Sequence, residues 1–203
     1  VACEKEEYVK QNEILKGLKK GGTFMLNCKW SDAELDEHLP SSMKKYMAEN
    51  EIKFYTINAT DIAEEIGLGN RINMITQAAF FKLADVIPMA DAEKYLKDSI
   101  EKSYGKKGQK ILDMNYAAVD KGAEALHKVE VPASWATITA EPLIKEHEGE
   151  PDFIKNILRP VNAQAGDDLP VSAFVGAEDG HMPHGTSAYE KRLIATEVPK
   201  WDK

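Results

Sequence analysis

The sequence predicts an α/β domain with short strands and several helices, followed by a Pro-rich, mostly extended arm. Three observations predict it. Helix-like and strand-like segments alternate over residues 1–128 with glycine at helix ends, the order that builds a sheet covered by helices. Apolar residues recur at helical spacing between Arg71 and Ile87 on both sides of the helix, so that helix is expected to be largely buried. After His127 the periodicity stops and proline breaks the chain at short intervals. The expected division is 1–128 for the domain and 129–203 for the arm.

Each element has its own signal. Glu6 to Leu18 reads as a helix with Ile14, Leu15 and Leu18 on one face, ended by Lys19-Lys20-Gly21-Gly22, cations and glycine being favoured at a helix C-terminus. Thr23 to Cys28 is a short apolar strand. Ser31-Asp-Ala-Glu34 is a capping box that starts a helix. Pro40 punctuates it, and Met43 to Asn50 continues as helix. Ile52 to Asn58, rich in β-branched and aromatic residues, is a second strand. Asp61 to Ile66 is a short helix ended by Gly67, and the long run Arg71 to Ile87 is ended by Pro88. Asp91 caps a helix reaching about Tyr104, and Lys110 to His127 is another. Beyond it come Val131-Pro132, Glu141-Pro142, Glu150-Pro151, Arg159-Pro160 and Leu169-Pro170. Residues before proline avoid the helical region. Apart from a helix at Asp152 to Leu158, this stretch is expected to be extended chain lying on a neighbour, because seventy irregular residues inside one compact domain would be unusual.

Composition excludes several classes of function. The 203 residues carry 26 Lys and Arg against 34 Asp and Glu, a net charge of −8. A nucleic-acid binder needs a basic patch to displace counterions from phosphates, so no nucleic-acid partner is expected. No apolar run approaches the roughly 20 residues of a membrane helix, and no secretory signal is present, so no membrane partner is expected. The first residue is Val1 rather than Met, which points to a fragment. Cys3 and Cys28 stand alone, outside any Cys-x-x-Cys motif, so no iron–sulfur cluster or zinc site is expected within the chain. Two lone thiols suit a reducing cytoplasm, the expected location.

Few residues carry chemistry. The loop Gly67-Leu-Gly69-Asn70-Arg71 opens the long helix. Free N–H groups at a helix start favour anions, Arg71 adds charge, and Gly69 lets a ligand approach the backbone. That reads as a phosphate or pantetheine contact; the plainer reading is a turn with Asn70 as N-cap. Asn73 shares a face with Gln77, and Asn115 lies inside an apolar helix. Each is either a ligand contact or an internally satisfied amide. His181-Met-Pro-His184 lacks the further ligands a metal needs and reads as a solvated loop. His38, His127 and His147 stand among charged residues and receive no role. No nucleophile–base constellation or complete phosphate-binding fingerprint occurs, so no catalytic residue is assigned.

Several segments carry a resemblance. Gly185-Thr-Ser-Ala-Tyr189-Glu190-Lys191-Arg192 followed by Pro199-Lys-Trp201 resembles the Tyr-Glu-Lys-Arg segment of pyruvate:ferredoxin (flavodoxin) oxidoreductases. Gly21-Gly22-Thr23-Phe24 with Trp30-Ser31, Gly67-Leu-Gly-Asn-Arg-Ile-Asn-Met74 and Val131-Pro-Ala-Ser-Trp135 are similar to that family too, in the same order. The resemblance implies a partial γ-type, Rossmann-like domain. It implies an internal segment of an enzyme that oxidatively decarboxylates pyruvate with thiamine diphosphate. Such an enzyme passes electrons through 4Fe-4S clusters to ferredoxin or flavodoxin and gives the acetyl group to coenzyme A. On that basis Asn73 and Asn115, then Arg71 and Gly69, are coenzyme A contacts of a partial site. Thiamine diphosphate and the clusters are expected outside this chain, which by itself is expected to be inactive. The other domains of a homo-oligomeric parent would be its partners, with Glu190 and Arg192 in interdomain polar contacts. The alternative is a stand-alone interaction or scaffold module without catalysis.

Overall fold

A four-stranded sheet organises the first 129 residues in the computed structural model, which describes residues 1–143, 149–190 and 199–201. The strands are β1 (Ala2–Cys3), β2 (Thr23–Asn27), β3 (Lys53–Ile57) and β4 (His127–Val129), paired in that order. β1, β2 and β3 run parallel, and β4 closes the far edge antiparallel to β3. Six helices pack around them: α1 (Asp32–His38), α2 (Ser41–Glu49), α3 (Ala59–Ile66), α4 (Asn73–Ala84), α5 (Met89–Tyr104) and α6 (Gln109–Glu124).

β2 reads as an unbroken apolar run because both faces of the sheet are covered. Phe24 and Leu26 point to one face, where they meet Leu35 of α1 and Met43 and Met47 of α2. Met25 points to the other, where α3, α4 and α6 bring Ala63, Ile75, Ala79 and Ala118. α5 lies outside that layer and packs Leu96 and Ile100 against Ala78 and Val119.

The local signals act as their chemistry requires. Ser31 Oγ accepts from the Glu34 amide at 3.5 Å while the Glu34 carboxylate accepts from the Ser31 amide at 2.8 Å, so the capping box is complete. Gly67 ends α3 in the left-handed conformation at φ 90°. α4 stops at Asp85, itself left-handed at φ 47°, so the helix is shorter at both ends than its apolar pattern. α5 starts directly after Pro88, leaving Asp91 inside the first turn rather than at the cap.

Tertiary contacts override the sequence pattern in four places. The expected helix from Glu6 to Leu18 is a single 3-10 helix, Glu6–Lys10, followed by turns. The Glu13 amide, which a continuing helix would use internally, donates to the Ala163 carbonyl of the arm at 3.2 Å. Asn70 caps no helix, because α4 begins later with Ile72 at its N-cap; the side-chain cap is Asn58, whose Oδ1 accepts from the Asp61 amide at 3.1 Å. α6 ends at Glu124, and His127–Val129 becomes strand because β3 offers it an open edge. β1 was not signalled by its sequence: two residues are held by pairing with Met25 and Leu26.

The arm begins on the α1–α2 face. Trp135 is buried there, and its Nε1 donates to Asp36 Oδ1 at 2.7 Å beside the Lys44 ammonium. Residues 152–162 are helical, longer than expected, with a π turn at Ile154–Leu158 leading into α7 (Arg159–Asn162). The wide turn precedes Pro160, whose ring does not fit a regular helical ladder. Single 3-10 turns follow at Gly166–Asp168, Val171–Phe174 and Thr186–Tyr189. Lys191, Arg192 and His147 lie outside the described residues.

Candidate functional site

In parallel α/β sheets, ligands gather beyond the carboxyl ends of the strands. Here that end carries a polar network. Asn27, the last residue of β2, is buried; its Nδ2 donates to the Glu4 carbonyl at 3.1 Å, and its Oδ1 accepts from the Ala59 amide at 2.9 Å. Glu4, just past β1, accepts through Oε1 from buried Thr76 at 3.2 Å, and Thr76 Oγ1 lies 3.2 Å from the Asn73 carbonyl. The ends of β1 and β2 are thereby tied to the first turns of α3 and α4. Beside them Lys29 pairs with Asp61. The hydrogen bonds from Lys29 and Asn58 hold the Asp61 carboxyl below the usual range. This is a hydrogen-bonded polar rim; it contains no nucleophile held by a base.

Of the candidate residues, Asn73 touches that rim through its backbone carbonyl. Asn73 is the exposed first residue of α4, fixed through its backbone by Thr76. Arg71 is exposed in the preceding loop. Gly69 has φ 61°, and a Cβ there would meet no heavy atom within 4 Å, so its backbone is open to approach. Asn115 is only 6% exposed, and its Nδ2 donates to the Ile111 carbonyl at 2.7 Å, the internally satisfied arrangement. Its neighbour Met114 lies against Gly67, where a Cβ would stand 3.2 Å from the methionine methyl. The loop from Gly67 to Arg71 and the middle of α6 are therefore neighbours, while Asn115 keeps its amide turned to its own helix. Sequence reading passed over Glu4, Asn27 and Thr76. The available signal was an asparagine ending an apolar strand, the position where α/β sheets place their sites.

Among the described residues, cavities open at three places, the first of them bordered by Glu4 of the rim. One of about 750 Å³ opens at the end of β1 between Glu4, Tyr8, Asn12 and the Gln164–Asp168 turn. One of about 240 Å³ sits between Ile14, Leu15, Met43 and Tyr46. Another of about 240 Å³ lies at the opposite end of β2, between Val1, Thr23, Phe80 and Leu83. The four candidate residues line none of these three.

Both thiols face the α1–α2 core. Burial pushes Cys28 up to about 12, and nearby Glu6 adds repulsion. Burial also raises Cys3, whose Sγ donates to the Lys5 carbonyl at 3.1 Å. Thiolate is the reactive form, so native Cys28 at pH 8 should react with iodoacetamide roughly 1,000-fold more slowly than the unfolded thiol. Intact-mass kinetics check this, and equal rates in native and denatured chain would refute it. The unfolded thiol ionises near 9 and the native one near about 12, so the unfolded state loses its proton first. Its contribution to stability therefore declines as pH rises through that window.

His181 Nδ1 pairs with Asp179 at 2.8 Å in an exposed loop. Among the described residues no group of three or more His, Cys, Asp or Glu is arranged to hold a metal ion. No described helix is long and apolar enough to cross a membrane.

Comparison with known proteins bears directly on this arrangement. Residues 1–125 match the family model described as pyruvate ferredoxin/flavodoxin oxidoreductase, and residues 139–195 match EKR, a domain of unknown function. The chain is 55% identical over 201 residues to a pyruvate-flavodoxin oxidoreductase of Klebsiella pneumoniae, covering 99% of this chain and 17% of that protein. It is 53% identical to the pyruvate:ferredoxin oxidoreductase of Moorella thermoacetica, again over 99% of this chain and 17% of the relative. A mitochondrial NADP-dependent pyruvate dehydrogenase of Euglena gracilis is 40% identical over 99% of this chain and 11% of its own length. The chain thus spans about a sixth of the Klebsiella and Moorella relatives. The fold resembles that of the pyruvate oxidoreductase subunit PORC from Thermotoga maritima, with a TM-score of 0.50, 22% identity and 64% coverage of each chain. With a matching family model over most of its length, the chain belongs to the pyruvate ferredoxin/flavodoxin oxidoreductase family.

Proposed function

We propose that the chain serves as a segment of a longer pyruvate:ferredoxin/flavodoxin oxidoreductase, in which it forms one wall of the coenzyme A site and contacts neighbouring domains. The observation that carries this reading is the 55% identity to a pyruvate-flavodoxin oxidoreductase over 99% of the chain. In the complete enzyme, pyruvate is decarboxylated on thiamine diphosphate and electrons leave through 4Fe-4S clusters to ferredoxin or flavodoxin in the cytoplasm. Coenzyme A accepts the acetyl group.

The residues here fit coenzyme A as a partial wall. Gly69 offers an open backbone, and Arg71 and Asn73 are exposed beside it at the start of α4. Arg71 suits a phosphate by charge, and Asn73 suits an amide or hydroxyl of the pantetheine arm. Asn115 is buried with its Nδ2 bonded to Ile111, so its part in the wall is to hold α6 beside the Gly67–Arg71 loop. Residues of this chain do not fit the clusters: each needs four ligands, typically thiolates, and the two cysteines are buried and lie outside any Cys-x-x-Cys motif. The clusters therefore bind outside it; the family resemblance implies the same for thiamine diphosphate, and this chain's part is to bind and orient.

The test uses the complete polypeptide. Asn73→Ala should raise KM for coenzyme A about tenfold, or ~1.4 kcal/mol of lost binding. KM for pyruvate and decarboxylation without coenzyme A should stay unchanged. An unaltered KM for coenzyme A in Asn73→Ala, Asn115→Ala and Arg71→Ala would remove the proposal.

A further inference from the structure

The arm exposes an unusual surface. Val171, which opens the Val171–Phe174 3-10 turn, is 90% exposed, Phe174 at its end 39% and the following Val175 77%. Single exposed apolar residues are ordinary, but a contiguous apolar tip marks an interaction site. Along the chain the formal charges flanking it have one sign. Residues 160–190 contain Asp167, Asp168, Glu178, Asp179 and Glu190 and not a single Lys or Arg. Backbone hydrogen bonds hold Glu178 and Asp179 below their usual range, so the tip is flanked by carboxylates that stay ionised. The arm already shows how it meets a surface: Asp168 pairs with Lys16 of the domain, and Glu13 donates to Ala163.

We propose that the Val171–Phe174 turn, with Val175, docks into an apolar groove bordered by Lys or Arg on another folded unit of the same longer polypeptide. The acidic flanks exclude a partner with an acidic rim and select a basic one. The apolar tip supplies the buried centre and the carboxylates the rim, the usual division at an interface. This rests on reading the chain as part of a longer oxidoreductase, of which it spans about a sixth in the Klebsiella relative.

Cysteine labelling of the complete polypeptide tests it. Val171→Cys should react with a small maleimide at least tenfold more slowly than the same substitution in a short peptide of residues 165–180. Adding Glu178→Lys and Asp179→Lys, or raising salt to 1 M, should restore fast labelling. Val175→Cys repeats the measurement independently. Free-peptide rates at both positions would overturn the proposal. Protection insensitive to charge and salt would overturn the basic border. Protection that grows with protein concentration, with crosslinks between two copies at position 171, would overturn it in favour of self-association. Oxidoreductase activity is measured separately: if it is present and the cysteines label freely, only this inference fails. If it is absent and they are protected, only the enzyme assignment fails.

Discussion

Replacing Gly122 by alanine is expected to destabilise the chain by about 2 kcal/mol, the usual scale of overpacking, even though alanine is the better helix former by about 1 kcal/mol. A Cβ at this position would stand 2.4 Å from the Ile75 carbonyl oxygen and 2.8 Å from its Cα. Both neighbours are backbone, so no side chain can swing away. α6 would have to move off α4, and the layer formed by Ile75, Ala79 and Ala118 would open. At about 2–4 °C per kcal/mol for a chain of this size, thermal unfolding should fall by about 4–8 °C. Gly122→Val should fall further. An unchanged midpoint in Gly122→Ala would mean that the two helices do not meet backbone to backbone. Glycine is tolerated inside this helix because it permits the approach.

Phe24→Ala and Phe54→Ala should each lose about 3–5 kcal/mol, the range for emptying a buried aromatic site. The rings sit opposite each other on β2 and β3, fully buried, with centroids 5.4 Å apart and planes 9° from parallel. Stacking adds about 0.5–1.5 kcal/mol beyond area burial. The double variant should therefore lose less than the sum of the two single ones, by about 1 kcal/mol. Denaturant titration of the four proteins measures it. Strict additivity would show that the rings stabilise independently, through burial alone.

The sequence and structure agree where one local interaction decides. Ser31 with Glu34 and Gly67 after α3 each act within a turn of their own residue, so their chemistry is visible in the chain. They part where a distant partner decides. Nothing in Ala2-Cys3 or His127-Lys-Val129 marks a strand; each is one because a sheet edge lies beside it. Helical spacing over Glu6 to Leu18 is real, but Ala163 takes the amide that the helix needed. The candidate site divides in the same way. Gly69 and Arg71 in the loop and Asn73 at the start of α4 stand out as candidates from glycine, charge and a helix start. The network of Glu4, Asn27 and Thr76 joins residues 72 apart in the chain, a relation no spacing encodes.

Lys16 and Asp168 pair across 152 residues, next to the Glu13–Ala163 hydrogen bond. During synthesis at about 5–20 residues per second, roughly 8–30 s separate the appearance of these partners. The segment after Lys10 must wait, already translated, for a partner the ribosome has not yet made. Until then the Glu13 amide lacks its acceptor and the Lys16 ammonium its carboxylate, an interval in which a nascent-chain binder has access that the finished fold withdraws.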